Sequence, residues 1–244
     1  INIEGNKLLE SEQIISSLES IGIKKSKPYS ENLLDKVKQE LVRLYYDNGR
    51  YSSSVEIEGV KTENNLVDLN VKINEGEAST IKEVKIIGNR NFSTRQIKSI
   101  IKSGPKYWFE VWSDKDIYNN TLLDQDIESI IQYYQNKGYA KVKIASKQVN
   151  LSPDKKDIYI TISINEGNKY VFGNVSATGL ENFNDEIFKN ILKFNLKPGT
   201  SFDRSKIEST QQSIKFLLGE EGYAFPDINY NASFNDTTST VDIA

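Results

Sequence analysis

Isoleucine occupies every second position from Ile158 to Ile164, with polar or aromatic residues between. This period of two predicts a β-strand with one apolar face. Elsewhere apolar residues recur every three or four positions, which predicts amphipathic helices. Because the apolar face of a sheet has to be covered, we predict that helices pack on one face of each sheet while the other face meets water. The predicted helical faces include Leu34, Val37, Leu41 and Leu44, and further on Ile97, Ile100 and Ile101.

The same order of elements occurs three times along the chain. A short strand ends at Gly5, Gly88 or Gly179, two helices follow, and a hairpin of two strands closes the unit. The string INEG, at 73–76 and 164–167, ends two of the three units. The sequence therefore predicts an α+β fold of three tandem β-α-α-β-β domains, each with a three-stranded mixed sheet and two helices on one face. The predicted domains are residues 1–77, 78–167 and 168–244. The connections between them are short and carry Gly, so we expect no core shared between domains.

Histidine and cysteine are absent from all 244 residues. Their absence excludes Ser-His-Asp triads, Cys nucleophiles, disulfides and zinc sites built on thiolate or imidazole. Glu75 and Glu166 lie in different units, where each marks a strand end turned by Gly, so they do not form a catalytic pair. We predict neither an enzyme nor a cofactor. The net charge of -3 also disfavours a nucleic-acid partner, which requires a concentrated basic surface.

No apolar run approaches the roughly 18 residues of a membrane-spanning helix. The chain contains no Met and no secretory signal at its start, so we expect a processed or excised piece. The lack of cysteine fits an oxidising compartment such as the periplasm, but many cytosolic proteins also lack cysteine.

The most specific strings in the chain lie in the middle unit: YYQNKGYAKVKI and LSPDKKDIYITISINEG. The C-terminal unit adds LLGEEGYAFPDI, and the N-terminal unit adds a Gly-Asn turn after its first strand. In these residues the chain resembles the POTRA domains of the BamA family of outer-membrane assembly factors, across essentially its whole length. The three units resemble the second, third and fourth POTRA domains of that family.

The resemblance implies a periplasmic scaffold that forms part of an outer-membrane protein. Such domains receive unfolded outer-membrane proteins, often by pairing a peptide strand with a sheet edge, and they dock accessory lipoproteins. It also implies that membrane association comes only through a C-terminal barrel, which is absent from these 244 residues.

Two alternatives stay open at this point. One is the POTRA region of a relative, such as a two-partner secretion transporter or a TamA-like protein. The other is a tandem RNA-binding module, because KH domains share the β-α-α-β-β order. KH domains need GxxG between their helices to clamp the RNA backbone. The connections IGIKKSKP, SGPKYWFEVWSD and NLKPGT do not contain it.

The second strand of the middle unit is the candidate peptide-binding edge. A hairpin whose last strand lies centrally leaves the other strand with unpaired backbone groups that can accept a peptide. Lysines project from this strand, and the alternative is that they only deter aggregation. The candidate residues are Tyr139, Ala140, Lys141, Val142, Lys143, Ile144, Ala145, Ser146 and Lys147.

The apolar positions of this strand change parity. Val142 and Ile144 occupy even-numbered positions, whereas Val149 and Leu151 occupy odd-numbered ones. Because side chains alternate between the two faces of a strand, a regular strand cannot hold both pairs on one face. We predict a β-bulge between Ile144 and Val149, with a strand that ends near Ala145 as the alternative.

An aromatic segment at 105–116 is the second candidate site, PKYWFEVWSDKD. It is either a partner-binding patch or a loop that caps its own core, and large aromatics more often have the second role. The candidate residues are Tyr107, Trp108, Phe109 and Trp112.

Overall fold

A computed structural model describes residues 1–20, 22–23, 31–61, 67–106, 115–179 and 185–244. The strands are β1 Asn2–Glu4, β2 Ser54–Lys61, β3 Val67–Asn74, β4 Thr80–Ile87, β5 Lys143–Leu151, β6 Asp157–Asn165, β7 Val171–Val175, β8 Ala232–Asn235 and β9 Thr240–Ile243. The helices are α1 Ser11–Ser20, α2 Glu31–Asp47, α3 Thr94–Lys98, α4 Asn120–Gln135, α5 Asp185–Asn195 and α6 Arg204–Glu220.

Each repeat builds one three-stranded sheet whose last strand lies in the centre. The strand orders are β1-β3-β2, β4-β6-β5 and β7-β9-β8. In the N-terminal sheet β1 runs parallel to β3, with Ile3 opposite Val71, and β2 runs antiparallel to β3, with Ile57 opposite Val71. In the C-terminal sheet β7 runs parallel to β9, and β8 runs antiparallel to it. The predicted α+β fold with mixed three-stranded sheets is therefore confirmed.

The first strand of each repeat ends at a glycine with left-handed backbone geometry. The φ angles are +87° at Gly5, +86° at Gly88 and +81° at Gly179. Only glycine adopts this region without a steric cost, so the same residue recurs at the same turn.

The core of the N-terminal repeat joins helix and strand residues on one face of the sheet. Val37 and Leu41 of α2 are fully buried and share one cluster with Val71 of β3. The next fully buried residue of α2 is Tyr45, whereas the predicted Leu44 lies half-buried at the margin. The predicted helical face is thus displaced by one residue at its C-terminal end.

The first helix of the middle repeat is shorter than its apolar spacing predicts. It covers five residues and ends before Ile100 and Ile101. The Ser99 hydroxyl donates to the Gln96 carbonyl at 2.7 Å, and the Ser99 backbone N–H bonds back into the last turn. This cap terminates the helix, so that only Ile97 of the three predicted residues is fully buried.

The described chain divides into two compact units, and the division passes through the middle repeat. One unit comprises Ile1–Lys85, Lys102–Asp126 and Gln148–Thr161, and the other comprises Ile86–Ile101, Ile127–Lys147 and Ile162–Ala244. The residues that join the N-terminal repeat to the middle repeat lie in the first unit. Those that join the middle repeat to the C-terminal repeat lie in the second.

A buried carboxylate fixes a connecting segment inside the first unit. Asp126 is 2% exposed and accepts hydrogen bonds from the backbone N–H groups of Lys102, at 2.7 Å, and Ser103, at 2.8 Å. Hydrogen bonds to a charged acceptor are stronger than those between neutral groups.

We predict that Asp126→Ala lowers the free energy of unfolding by about 2–3 kcal/mol, because it leaves two backbone N–H groups without an acceptor. Urea unfolding followed by circular dichroism measures the change. The matched control is Glu128→Ala, which removes an exposed carboxylate from the same helix and should change stability by less than about 0.5 kcal/mol. Equal effects of the two substitutions would contradict the structural role of Asp126.

Candidate peptide-binding edge and repeat junctions

Strand β5 lies at one edge of the middle sheet. Its one strand neighbour in the described part of the chain is β6. An edge strand presents a row of backbone N–H and C=O groups on its outer side, and these groups can pair with another chain. We refer to the outer side of Lys143–Leu151 as the β5 edge.

The opposite edge of the middle sheet is closed by the chain itself where β4 begins. The N–H of Ile81 donates to the Asp116 carbonyl at 2.6 Å, and Thr80 forms an isolated antiparallel bridge with Ile117. The same closure recurs in the C-terminal repeat, where the N–H of Phe172 donates to the Thr200 carbonyl at 2.8 Å. The segment before the second helix therefore covers the start of the first strand in both repeats.

The strand that carries the candidate site begins four residues later than predicted. Tyr139–Val142 form a turn, in which the N–H of Val142 donates to the Tyr139 carbonyl at 3.1 Å. Tyr139, Ala140 and Val142 are also buried, so these residues do not offer an open edge. Tyr139 packs edge-to-face against Phe92 and Tyr134, with ring centroids 5.6 and 5.7 Å apart.

Ala140 belongs to the core of the next repeat. It shares one buried cluster with Tyr170, Phe172, Phe202 and Val241 of the C-terminal repeat. The expectation of separate cores is therefore wrong at this position. The apolar residues Tyr139 and Ala140 therefore do not mark the start of the strand, because Tyr139 packs inside the middle repeat and Ala140 packs against the next one.

Lys141 also faces the C-terminal repeat and does not project from the β5 edge. Its Nζ lies 2.5 Å from an Asp236 carboxylate oxygen, which also accepts a hydrogen bond from the Tyr170 hydroxyl at 2.6 Å. The hydrogen bond to Asp236 raises the pKa of Lys141, and the same contact lowers the pKa of Asp236. The ammonium group also lies 5.0 Å from the ring centroid of Phe234, a cation–π distance.

Within the strand itself, exposure alternates and then changes phase. Lys143 and Ala145 are exposed while Ile144 is half-buried, but Lys147 and Gln148 are exposed in succession. After them Val149 and Leu151 are half-buried. Strand β5 continues to Leu151, so the alternative of a strand ending near Ala145 is wrong. The change of phase agrees with the parity argument, and the bulge itself stays a prediction.

The aromatic candidates Tyr107, Trp108, Phe109 and Trp112 lie outside the described residues. Both interpretations of that segment stay open.

The two junctions between repeats use the same backbone hydrogen bonds. After α2 the Gly49 carbonyl accepts from the N–H of Ser79 at 2.8 Å, and after α4 the Gly138 carbonyl accepts from the N–H of Tyr170 at 2.8 Å. The carbonyls of Ser79 and Tyr170 in turn accept from the aromatic residue that precedes the next second helix, Tyr118 and Phe202 respectively. The glycine that follows the second helix, Gly49 or Gly138, is thus part of the junction to the next repeat.

Sequence reasoning missed the role of the two glutamates of INEG. Glu75 accepts from the backbone N–H groups of Lys7, at 2.6 Å, and Leu8, at 2.8 Å, and from the Tyr45 hydroxyl at 3.1 Å. In the middle repeat, Glu166 accepts hydrogen bonds from Asn91 and from the Tyr134 hydroxyl. Each carboxylate therefore ties the turn after the first strand of its repeat to the second helix of that repeat.

The prediction that INEG marks a strand end turned by glycine is confirmed by the positive φ angles of Gly76 and Gly167. The signal for the additional role was available, because Tyr45 and Tyr134 each stand four residues before the junction glycine.

These contacts set the ionisation of the first carboxylate. Burial on its own raises the pKa of Glu75, but the hydrogen bonds from Leu8, Lys7 and Tyr45 outweigh it, and the net pKa lies below its ordinary value. Burial and the neighbouring Glu75 carboxylate raise the pKa of the Tyr45 hydroxyl, which therefore stays protonated and donates.

The described residues contain no group of three or more Asp and Glu side chains arranged to hold a metal ion. None of their helices combines the length and apolar character needed to cross a membrane.

Repeated β-α-α-β-β domains with a central last strand define a tandem-repeat protein of small mixed-sheet modules. The family model for POTRA, described as the surface antigen variable number repeat, matches residues 1–76, 79–167 and 170–244. The chain belongs to the POTRA family, as its sequence predicts.

Curated relatives extend this similarity. The outer membrane protein assembly factor BamA of Neisseria meningitidis is 28% identical over 247 residues, which is 99% of this chain and 30% of that protein. The BamA protein of Buchnera aphidicola is 28% identical over 222 residues, 91% of this chain and 36% of that protein. The chain thus spans about a third of the length of these relatives.

The fold also matches a solved structure. The crystal structure of Haemophilus influenzae BamA POTRA3-5 covers 99% of this chain with a TM-score of 0.58 at 14% identity, and 92% of that chain is aligned. The match shows the fold, and the equivalence to the second, third and fourth POTRA domains stays a prediction.

We predict that the contribution of Glu75 to stability depends on pH. Because its pKa is lower in the folded protein, the stabilisation is present above the ordinary value of 4.5 and is lost as the pH falls through the folded value. Glu75→Gln should lower the free energy of unfolding by about 1–2 kcal/mol at neutral pH, allowing for partial exposure, and by less in acid.

Urea unfolding over a pH series measures this difference. The control is Glu77→Gln, whose exposed carboxylate makes one long ion pair with Lys156 at 3.7 Å. A deficit of Glu75→Gln that stayed constant from neutral to acidic pH would show that the carboxylate charge is not responsible.

Proposed function

We propose that this chain is the periplasmic scaffold region of an outer-membrane β-barrel assembly factor, composed of POTRA domains at residues 1–77, 78–167 and 168–244. In this proposal the β5 edge receives segments of unfolded outer-membrane proteins by adding them to the middle sheet as a further strand. Other surfaces of the chain dock accessory lipoproteins of the same assembly. The relatives named as outer membrane protein assembly factors support the assignment.

The observation that carries the proposal is that the two edges of the middle sheet differ: the start of β4 is covered by another segment of the chain, whereas β5 has no second strand beside it in the described ranges. Bonds from Asp116 and Ile117 occupy the outer side of β4 where that strand begins. Strand β5 is nine residues long and has one strand neighbour in the described ranges. An added strand therefore has a single long template in this sheet, and it lies on the β5 side.

The chemistry of the edge suits many different ligands. Pairing through backbone N–H and C=O groups requires an extended segment but no particular side chains. Strands of outer-membrane barrels share alternating apolar and polar residues and otherwise differ in sequence. A backbone template accepts such strands with low specificity, which is what a general receiver of unfolded barrels requires.

Side chains modulate this template. Lys143 and Ala145 are exposed on one side of the strand, and Ile144 is half-buried on the other. The charge of Lys143 opposes uncontrolled association of free edges, a common use of lysine on edge strands. The change of phase at Lys147 and Gln148 interrupts the regular pleat, so we expect an added strand to be short.

We predict that a proline placed at one of two neighbouring positions in β5 weakens peptide binding while the domain stays folded. Successive N–H groups of a strand point alternately toward the partner strand and away from it. Either Ala145→Pro or Ser146→Pro therefore removes an N–H group that points away from β6. That variant should leave the domain folded, because proline is tolerated where the N–H of an edge strand faces solvent. That variant should bind a synthetic barrel-strand peptide at least about tenfold more weakly, the equivalent of about 1.4 kcal/mol.

Circular dichroism identifies the folded variant, and isothermal titration calorimetry measures its affinity. Ala145→Ser and Ser146→Ala keep both N–H groups and serve as controls that should bind like the unmodified chain. If the folded proline variant binds with unchanged affinity, the peptide does not pair with the β5 edge.

A further inference from the structure

An open groove of about 1090 Å³ lies between helices α5 and α6 on the surface of the C-terminal repeat. Ile191 and Leu217, both half-buried, line it together with more exposed apolar residues. We define the α5–α6 groove by these two residues and by Ile187, Phe194 and Phe216.

The groove exposes an unusual amount of apolar surface. Phe194 is 87% exposed, Phe216 68% and Ile187 47%. In the described part of the chain, the large apolar side chains that are exposed on helices all belong to α5 and α6. Contiguous exposed apolar surface of this kind marks an interaction site in a soluble domain.

Among the described residues that line the groove, the charged ones have one sign. They are Lys193 and Lys197, and none of those lining residues is Asp or Glu. Neither lysine forms an ion pair with the side chains that the structure describes. Two ammonium groups beside an apolar groove favour an occupant that carries carboxylates next to its apolar residues.

This charge distribution discriminates among possible occupants. A second copy of the chain, seated by the same groove, would bring the lysines of both copies together, which is unfavourable. An anionic membrane is disfavoured because residues 168–244 hold seven Lys and Arg against ten Asp and Glu, a net charge of -3. A partner segment that carries acidic residues only where it contacts the groove avoids both conflicts: it brings no lysines to the groove, and it is not repelled by the net negative charge of residues 168–244.

We propose that the α5–α6 groove binds an amphipathic helix of a partner protein, with an apolar stripe flanked by Asp or Glu. A helix fits because α5 has 11 residues and is about 16 Å long, which matches three turns of a partner helix. Apolar side chains at helical spacing would insert beside Phe194 and Phe216, and the flanking carboxylates would approach Lys193 and Lys197. This site is separate from β5 and does not depend on peptide addition there.

Two fluorescent helical peptides, each with one apolar stripe, test the proposal on residues 1–244. One peptide carries glutamates beside the stripe and the other carries lysines. Fluorescence anisotropy should show that the acidic peptide binds and that the basic peptide binds at least about tenfold more weakly. Lys193→Glu combined with Lys197→Glu should reverse this preference.

The apolar contribution has a matched control. Phe194→Ser combined with Phe216→Ser should weaken binding of the acidic peptide at least about tenfold, because two exposed rings lose their contacts. Phe225→Ser removes a ring that is 97% exposed and lies outside the groove, and it should leave the affinity unchanged. The folded proline variant of β5 should also leave it unchanged, which separates a failure of this proposal from a failure of the β5 edge.

Three results would overturn the proposal. The first is that the acidic peptide does not bind. The second is that it binds the groove variant and the unmodified chain equally. The third is that vesicles of phosphatidylcholine and phosphatidylglycerol bind through Phe194 and Phe216 while the peptide does not, because the groove would then be a membrane contact.

Discussion

The order of strands in each sheet is the constraint on which the rest of the structure depends. The last strand of each repeat lies in the centre, so the first and second strands are both edges. Backbone groups of Asp116 and Thr200 close the start of the first-strand edge in the two repeats where this segment is described. The middle sheet is thereby left with β5 as its long available edge. An unpaired edge is a hazard for most proteins, and here it is the basis of the proposed function.

Short polar contacts hold each repeat and each junction in a defined geometry. Glu75 and Glu166 tie the turn after the first strand to the tyrosine of the second helix. The carbonyls of Gly49 and Gly138 then accept from the residue that opens the next repeat. Because Ala140 lies shortly before β5 and is buried in the core of the next repeat, the start of that strand is anchored on the neighbouring repeat.

The fold could be predicted from local sequence patterns because each repeat carries clear patterns for its strands, helices and turns. The alternating isoleucines of β6 and the glycines at the first turns specify strands and turns by themselves. The strand start predicted at Tyr139 is wrong because packing of Tyr139 in its own repeat and of Ala140 in the next repeat produces the same apolar pattern as burial by a sheet. The two hydrogen bonds that Glu75 accepts from Lys7 and Leu8 could not be predicted from spacing alone, because their donors are backbone groups 68 and 67 residues away. The α5–α6 groove likewise depends on how two helices pack.

In the proposed function, β5 recognises the backbone of an extended segment and not its side chains. Two isomers of one barrel-strand peptide test it, each N-methylated at alternate residues so that opposite sets of N–H groups are blocked. We expect one isomer to bind the chain like the unmethylated peptide and the other to lose at least about tenfold in affinity, because it cannot donate to β5. Equal binding of both isomers and of the parent peptide would contradict backbone pairing.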